Sequence, residues 1–299
     1  MNRAALLLAP VVVTIAVASQ AAPLIESAVG ASSTLYDTAG FVLAENSDSA
    51  QTLAAGVVVS EAVFDAYPGG ACPSPGGCFA ASASAVTDFG SNRVRSYASE
   101  YDEHPNGNTR IEDSASARSL WADDWSFQFS GPGSAVTLDI ALDGFWGNWG
   151  RVSYEISIVD ASSGTQVAYA IADSTCACAP LPPPFPALGQ IPLSDGGNAD
   201  GRFDATFQLT FVPLAGATYR VLAILTATSE PAIAGVDGAT VDVFNTARVT
   251  AVRLANGMTL SSAAGAEANY NVMVPEPSSG LCLLVAGVMG IRVRGRGRG

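Results

Sequence analysis

Arg202-Phe203-Asp204-Ala205-Thr206-Phe207-Gln208-Leu209-Thr210-Phe211 is the stretch whose reading decides the fold. Apolar side chains stand at Phe203, Ala205, Phe207, Leu209 and Phe211, with polar ones at every position between. Side chains alternate between the two faces of a strand, so this pattern marks a strand with one buried face and one wet face.

Working outward, the same period of two recurs along most of the chain. Phe79, Ala81, Ala83, Ala85 and Phe89 alternate with serines at Ser82 and Ser84, and Ile111, Ala115 and Ala117 share a face. Trp125, Phe127 and Phe129 follow, then Val136, Leu138, Ile140 and Leu142, then Val152, Tyr154, Ile156 and Ile158. Tyr219 to Thr226 is apolar on both faces and reads as a central strand; Val241–Phe244 and Arg248–Leu254 close the series. Turn residues punctuate these runs at Gly131-Pro132-Gly133, Ser162-Ser163-Gly164, Asn198-Ala199-Asp200-Gly201 and Asn256-Gly257. About ten short strands so punctuated predict an all-β body, an antiparallel β-sandwich for which a jelly roll is one fitting arrangement. Residues 22–75 are a weakly patterned lead-in rich in Ala, Ser and Gly. They suit one or two strands, and Thr52–Ala66 also suits a short helix.

Charge narrows the function. All 14 basic residues of the 299 are arginine, and the chain holds 27 acids and a single histidine. From Pro23 to Ser279 the 27 acids face 9 arginines, leaving 18 net negative charges. Such a body does not gather the cationic patches that nucleic acid or anionic lipid requires, so neither is expected as a partner.

Both ends carry segments foreign to a domain. Residues 1–21 read as a secretory signal: Arg3, an apolar run from Ala4 to Ala18, then Ser19-Gln20-Ala21 with small residues at −3 and −1. Cleavage is expected after Ala21 rather than after Ala22, which is followed directly by Pro23. At the other end, residues 274–299 begin Val274-Pro275-Glu276-Pro277-Ser278-Ser279, where two prolines fix φ and remove two backbone donors. An apolar run of 12 residues, 280–291, follows. As a helix it is about 18 Å long, short of the ~30 Å hydrocarbon core. Arg292, Arg294, Arg296 and Arg298 end the chain and would hold it on the cytoplasmic side.

This three-part tail resembles the PEP-CTERM sorting signal of Gram-negative, exopolysaccharide-producing bacteria. The resemblance implies that Val274, Pro275, Glu276 and Pro277 are the motif read by an exosortase, a membrane enzyme that removes the tail. It further implies transient residence in the inner membrane through a C-terminal helix, then the cell surface or an exopolysaccharide matrix. The tail departs from the family in alternating its arginines with Gly or Val and in placing Cys282 in the apolar run. Ala115–Asp123, Asp143-Gly144, Phe244–Val249 and Asn256–Ser262 look like parts of the cargo domains such tails carry, which implies a sandwich and no particular activity.

The remaining candidates are local. Cys72 and Cys78 flank a turn-rich loop and suit a disulfide with each other, while Cys176 and Cys178 would bridge each other only with strain and could instead pair with the first two. As a zinc site the four would give a CxC and a wider pair, an unusual spacing for a structural ligand set. Asp195, Asn198, Asp200 and Asp204 form an oxygen-rich stretch that fits a loose calcium-stabilised turn or a plain hairpin. Its glycines do not fall in EF-hand register. Trp146, Asn148 and Trp149, in the loop Phe145–Gly150, could stack on a sugar ring or fold onto the sheet end. His104 lies in a polar turn with no Gly-x-Ser-x-Gly elbow, and Glu112-Asp113 and Asp123-Asp124, as strand neighbours, point to opposite faces. No catalytic set emerges, and no cofactor other than calcium is suggested. The expectation is an exported, non-enzymatic surface or matrix protein. A lectin-like module working through the Phe145–Gly150 loop is the alternative.

Overall fold

The computed structural model describes residues 22–274 except 38–41, 55, 65, 68–69, 72–78, 99–108, 131–132, 148–149, 175–190, 193–201 and 230–238. Residues 1–21 with the expected secretory signal, the tail after Val274, His104, all the cysteines, Asn148, Trp149 and the Asp195–Asp200 stretch therefore lie outside the described residues. The chain is all-β. In order the strands are β1 (Leu24–Asp37), β2 (Val42–Thr52), β3 (Gly56–Phe64), β4 (Ala66–Tyr67), β5 (Gly70–Ala71), β6 (Phe79–Asp88) and β7 (Ser91–Ala98). Then come β8 (Thr109–Gln128), β9 (Val136–Gly147), β10 (Gly150–Asp160), β11 (Gln166–Asp173), β12 (Ile191–Pro192) and β13 (Arg202–Phe211). The series ends with β14 (Thr218–Ser229), β15 (Ala239–Arg253), β16 (Thr259–Ser262) and β17 (Val272–Met273), the last after a 3₁₀ turn at Glu267–Tyr270.

Two sheets carry the fold. One runs β12-β11-β10-β14-β8-β1-β2 with β16 also on β8; the other runs β13-β9-β15-β7-β6-β3 with β17 also on β15. Pairing is antiparallel except at the short β11–β12 and β15–β17 contacts. The facing sides of both sheets bury one common apolar cluster. Phe127 of β8 meets Phe211 of β13 edge-on at 5.7 Å, and Tyr154 of β10 meets Phe207 at 6.5 Å.

The alternating runs behave as their pattern demands. Val136, Leu138, Ile140 and Leu142 are buried, as are Val152, Tyr154, Ile156 and Ile158, and four of the five apolar positions of β13. β14 lies between β10 and β8, so the run apolar on both faces is indeed central. Three expectations need correction. The helix option over Thr52–Ala66 fails: β3 covers Gly56–Phe64, paired to β6, because Val57, Val59 and Val63 are β-branched and favour a pleated surface. The lead-in supplies three sizeable strands rather than one or two. The separate runs around Ala115 and Trp125 join into one strand, β8, of 20 residues.

Interior composition is graded. Toward β6, small residues such as Ala81, Ala83, Ala115 and Ala117 let hydroxyls meet across the sheets. Thr87 lies 2.7 Å from both Ser27 and Ser119, and Asn92 donates to the Ser119 carbonyl at 2.9 Å. Elsewhere the fill is aromatic, and the backbones approach closely at Gly150: a Cβ there would overlap the Thr240 carbonyl. The Tyr154 hydroxyl is buried with no hydrogen-bond partner among the described residues, and burial pushes its pKa well up. A lone buried hydroxyl costs its desolvation. Tyr154→Phe is therefore expected to raise stability by about 1 kcal/mol in denaturant unfolding, with an unchanged m-value.

Candidate functional site

The solvent face of the β13-β9-β15-β7 sheet gives the clearest polar recess. Register aligns Arg202 of β13 with Phe145 of β9, Phe145 with Asp242 of β15, and Asp242 with Arg95 of β7. Directly opposed residues share a face, so a cation, an aromatic ring, an anion and a second cation stand in one row. Arg95 Nη2 meets Asp242 Oδ2 at 2.9 Å. Asp143, Gly144, Phe145, Arg202 and Asp242 line a recess of ≈ 490 Å³. Beside it, a Cβ at Gly144 would come within 2.7 Å of Phe203 Cζ and 2.8 Å of the Asp242 carbonyl, so the three strands close up there only around glycine. An aromatic flank between carboxylate and guanidinium can stack on C–H faces and exchange hydrogen bonds with hydroxyls.

The sequence candidates divide around this recess. Trp146 alternates to the other face of β9, half-buried, with its ring 5.2 Å from Phe203 and packed against the core. The neighbouring Phe145, which the sequence reading used only to bound the loop, lines the recess. Asp204 sits on β13 rather than in a turn, exposed and opposite Asp143. No group of three or more metal-ligating side chains occurs among the described residues.

The neighbouring carboxylates separate as strand geometry requires. Asp123 points inward and is fully buried. Its Oδ2 accepts from Trp125 Nε1 at 3.0 Å, the Ser262 hydroxyl at 2.5 Å and the Tyr270 hydroxyl at 2.7 Å. Its Oδ1 accepts from the Ala264 backbone N–H at 3.0 Å. Asp124 points outward and receives two bonds from Arg220 Nη1, at 3.1 and 3.2 Å. Burial raises the Asp124 pKa, opposed by the Arg220 charge. Asp113 is likewise buried and accepts from the Ser33 hydroxyl at 2.5 Å. Asp123, Asp124 and Asp113 are thus each engaged in hydrogen bonds within the fold.

A second concavity lies on the outer face of the other sheet, where Leu24, Leu120, Ala122, Val159 and Leu222 meet Glu26, Arg118, Glu155 and Arg220. Desolvation raises the pKa of Glu155 above its ordinary 4.5. Tyr169, opposite Ser157 on the adjacent strand, is pushed up to about 12 by burial and then by the Glu155 charge. A carboxyl raised on folding stabilises below its unfolded pKa and loses that contribution as pH climbs through the folded value. Glu155→Gln is therefore expected to raise the melting temperature at pH 7, with the gain vanishing below about pH 4. A pH-independent difference in calorimetric scans would contradict this assignment.

Comparison with protein-family models, curated proteins and solved structures returns no match. No helix among the described residues is long and apolar enough to cross a membrane.

Proposed function

We propose that this is an exported, non-enzymatic β-sandwich protein of the cell surface or extracellular matrix. It is released by cleavage after Ala21 and sorted by exosortase processing at the 274–299 signal into the exopolysaccharide layer. The feature that carries this reading is the tail itself: Val274-Pro275-Glu276-Pro277, the apolar run 280–291 and the four terminal arginines. The fold is compatible with removal of both ends. β1 begins at Leu24 after an exposed Ala22, and β17 ends at Met273, beside a Val274 that is 48% exposed. Cutting beyond either point removes no described strand. The shared core of two facing sheets supports the sandwich arrangement.

The test is cell fractionation with and without an exosortase gene, for the native chain and for a variant with Pro275, Glu276 and Pro277 all changed to Ala. The native chain should reach the surface only when the enzyme is present. The triple variant should stay with the inner membrane in both strains. Equal surface delivery of all four would refute the sorting reading.

One observation favours a second reading, in which the body binds a carbohydrate. The recess at Phe145 joins an aromatic face to Asp143, Asp242 and Arg202. Phe145→Ala should abolish retention on the producing organism's polysaccharide, whereas Trp146→Ala should act chiefly through stability. Polysaccharide retention that survives Phe145→Ala would remove this second reading.

A further inference from the structure

Outward residues of a solvated antiparallel sheet are normally polar. On β14 they are Arg220, Leu222, Ile224 and Thr226. Register sets Leu222 between Ser157 and Ala122, and Ile224 between Glu155 and Leu120. β1 extends the floor with Leu24 opposite Ala122 and Glu26 opposite Leu120. Leu120 and Ala122 are 3% and 2% exposed although they face outward, so larger neighbours wall them in. The resulting groove holds ≈ 430 Å³, within the range that encloses a small ligand.

The charges on its walls are unequally matched. Arg118 Nη1 approaches Glu26 Oε1 at 3.4 Å on one side, and Arg220 grips Asp124 on the other. Both guanidiniums thus already face carboxylates. Glu155 forms no ion pair or hydrogen bond with a described residue, although it is half-buried beside Leu222 and Ile224. An uncompensated carboxylate over an apolar floor favours a cation whose remaining body is apolar.

We propose that this groove binds an apolar ligand bearing one cationic group, an alkylammonium in its simplest form, with the cation at Glu155 and the apolar body along Leu24, Leu120, Ala122 and Leu222. An apolar anion is disfavoured because Glu155 repels it and Glu26 and Asp124 occupy the two arginines. A sugar leaves the apolar floor uncovered. A second copy joined by a two-fold axis through the groove would bring two Glu155 carboxylates together. This assignment is independent of the sorting signal.

The test is isothermal titration of the purified protein with hexylammonium, hexanoate and hexanol, repeated on Glu155→Gln and Leu222→Ala. Hexylammonium should saturate at one site and bind at least about tenfold more tightly than hexanoate. Glu155→Gln should weaken hexylammonium about tenfold and leave hexanol unchanged, while Leu222→Ala weakens both. Thermal scans establish that each variant is folded. Equal binding of the cation and the anion, no saturable binding, or unchanged hexylammonium affinity in folded Glu155→Gln would each overturn the assignment.

Discussion

Replacing Asp123 with Ala should cost about 3–5 kcal/mol of folding stability, among the largest single-site losses expected in this chain. Four donors converge on that carboxylate from three places: Trp125 two residues along β8, Ser262 at the end of β16, and Ala264 and Tyr270 beyond it. Removing the acceptor leaves those donors buried without it, and each unsatisfied group carries a penalty of about 1–3 kcal/mol before relaxation. The loss also frees the segment that returns the chain toward β17. The Ser262 hydroxyl accepts from the Ala266 N–H at 3.1 Å, and Glu267 Oε1 accepts from the Ser262 N–H at 2.8 Å. Asp123→Asn keeps the shape but turns an amide toward donors, so it should recover little. Hydrogen exchange should accelerate first at residues 262–273 in both variants. Exchange rates there equal to the native chain's would show that Asp123 does not hold this segment.

Phe127→Ala should cost about 3–5 kcal/mol by a different route, a cavity between the sheets. Phe127 is fully buried, with Phe211 at 5.7 Å, Tyr219 at 6.0 Å and Trp125 at 6.5 Å, so its ring joins β8 to both β13 and β14. The aromatic neighbours cannot collapse far, because Tyr219 is tethered by the Leu214 N–H donating to its hydroxyl at 2.8 Å. Phe127→Leu, which keeps most of the volume, should lose no more than about 1.5 kcal/mol. Chemical denaturation of both variants checks the ratio, and equal losses would mean that volume is not the controlling quantity.

Strand residues were the most legible part of the sequence, because burial on one face imposes a period of two that few other structures share. Phe203–Phe211, Val136–Leu142 and Val152–Ile158 all obey it. β1 was harder to read, since Ser27, Ala31 and Ser33 on its buried face give little contrast with Ala28, Gly30 and Ser32 on the other. Thr87, Ser119 and Asn92 are polar yet fully buried, bonded to partners 27 to 61 residues away. Such pairings depend on which strands become neighbours, and local pattern does not record that. The same limit hid both recesses. Arg202, Phe145 and Asp242 form a row only once β13, β9 and β15 align. Glu155 becomes notable only when β14 sets Leu222 and Ile224 beside it, although the two-faced apolar run at Tyr219–Thr226 was already a hint.

The proposed export and sorting make the sharpest demand on the covalent chain. The decisive measurement is the intact mass of the protein recovered from the surface of exosortase-bearing cells. The expected species begins at Ala22 and lacks both the apolar run 280–291 and the arginines from Arg292 to Arg298. A surface species that still ends at Gly299 would contradict the central claim.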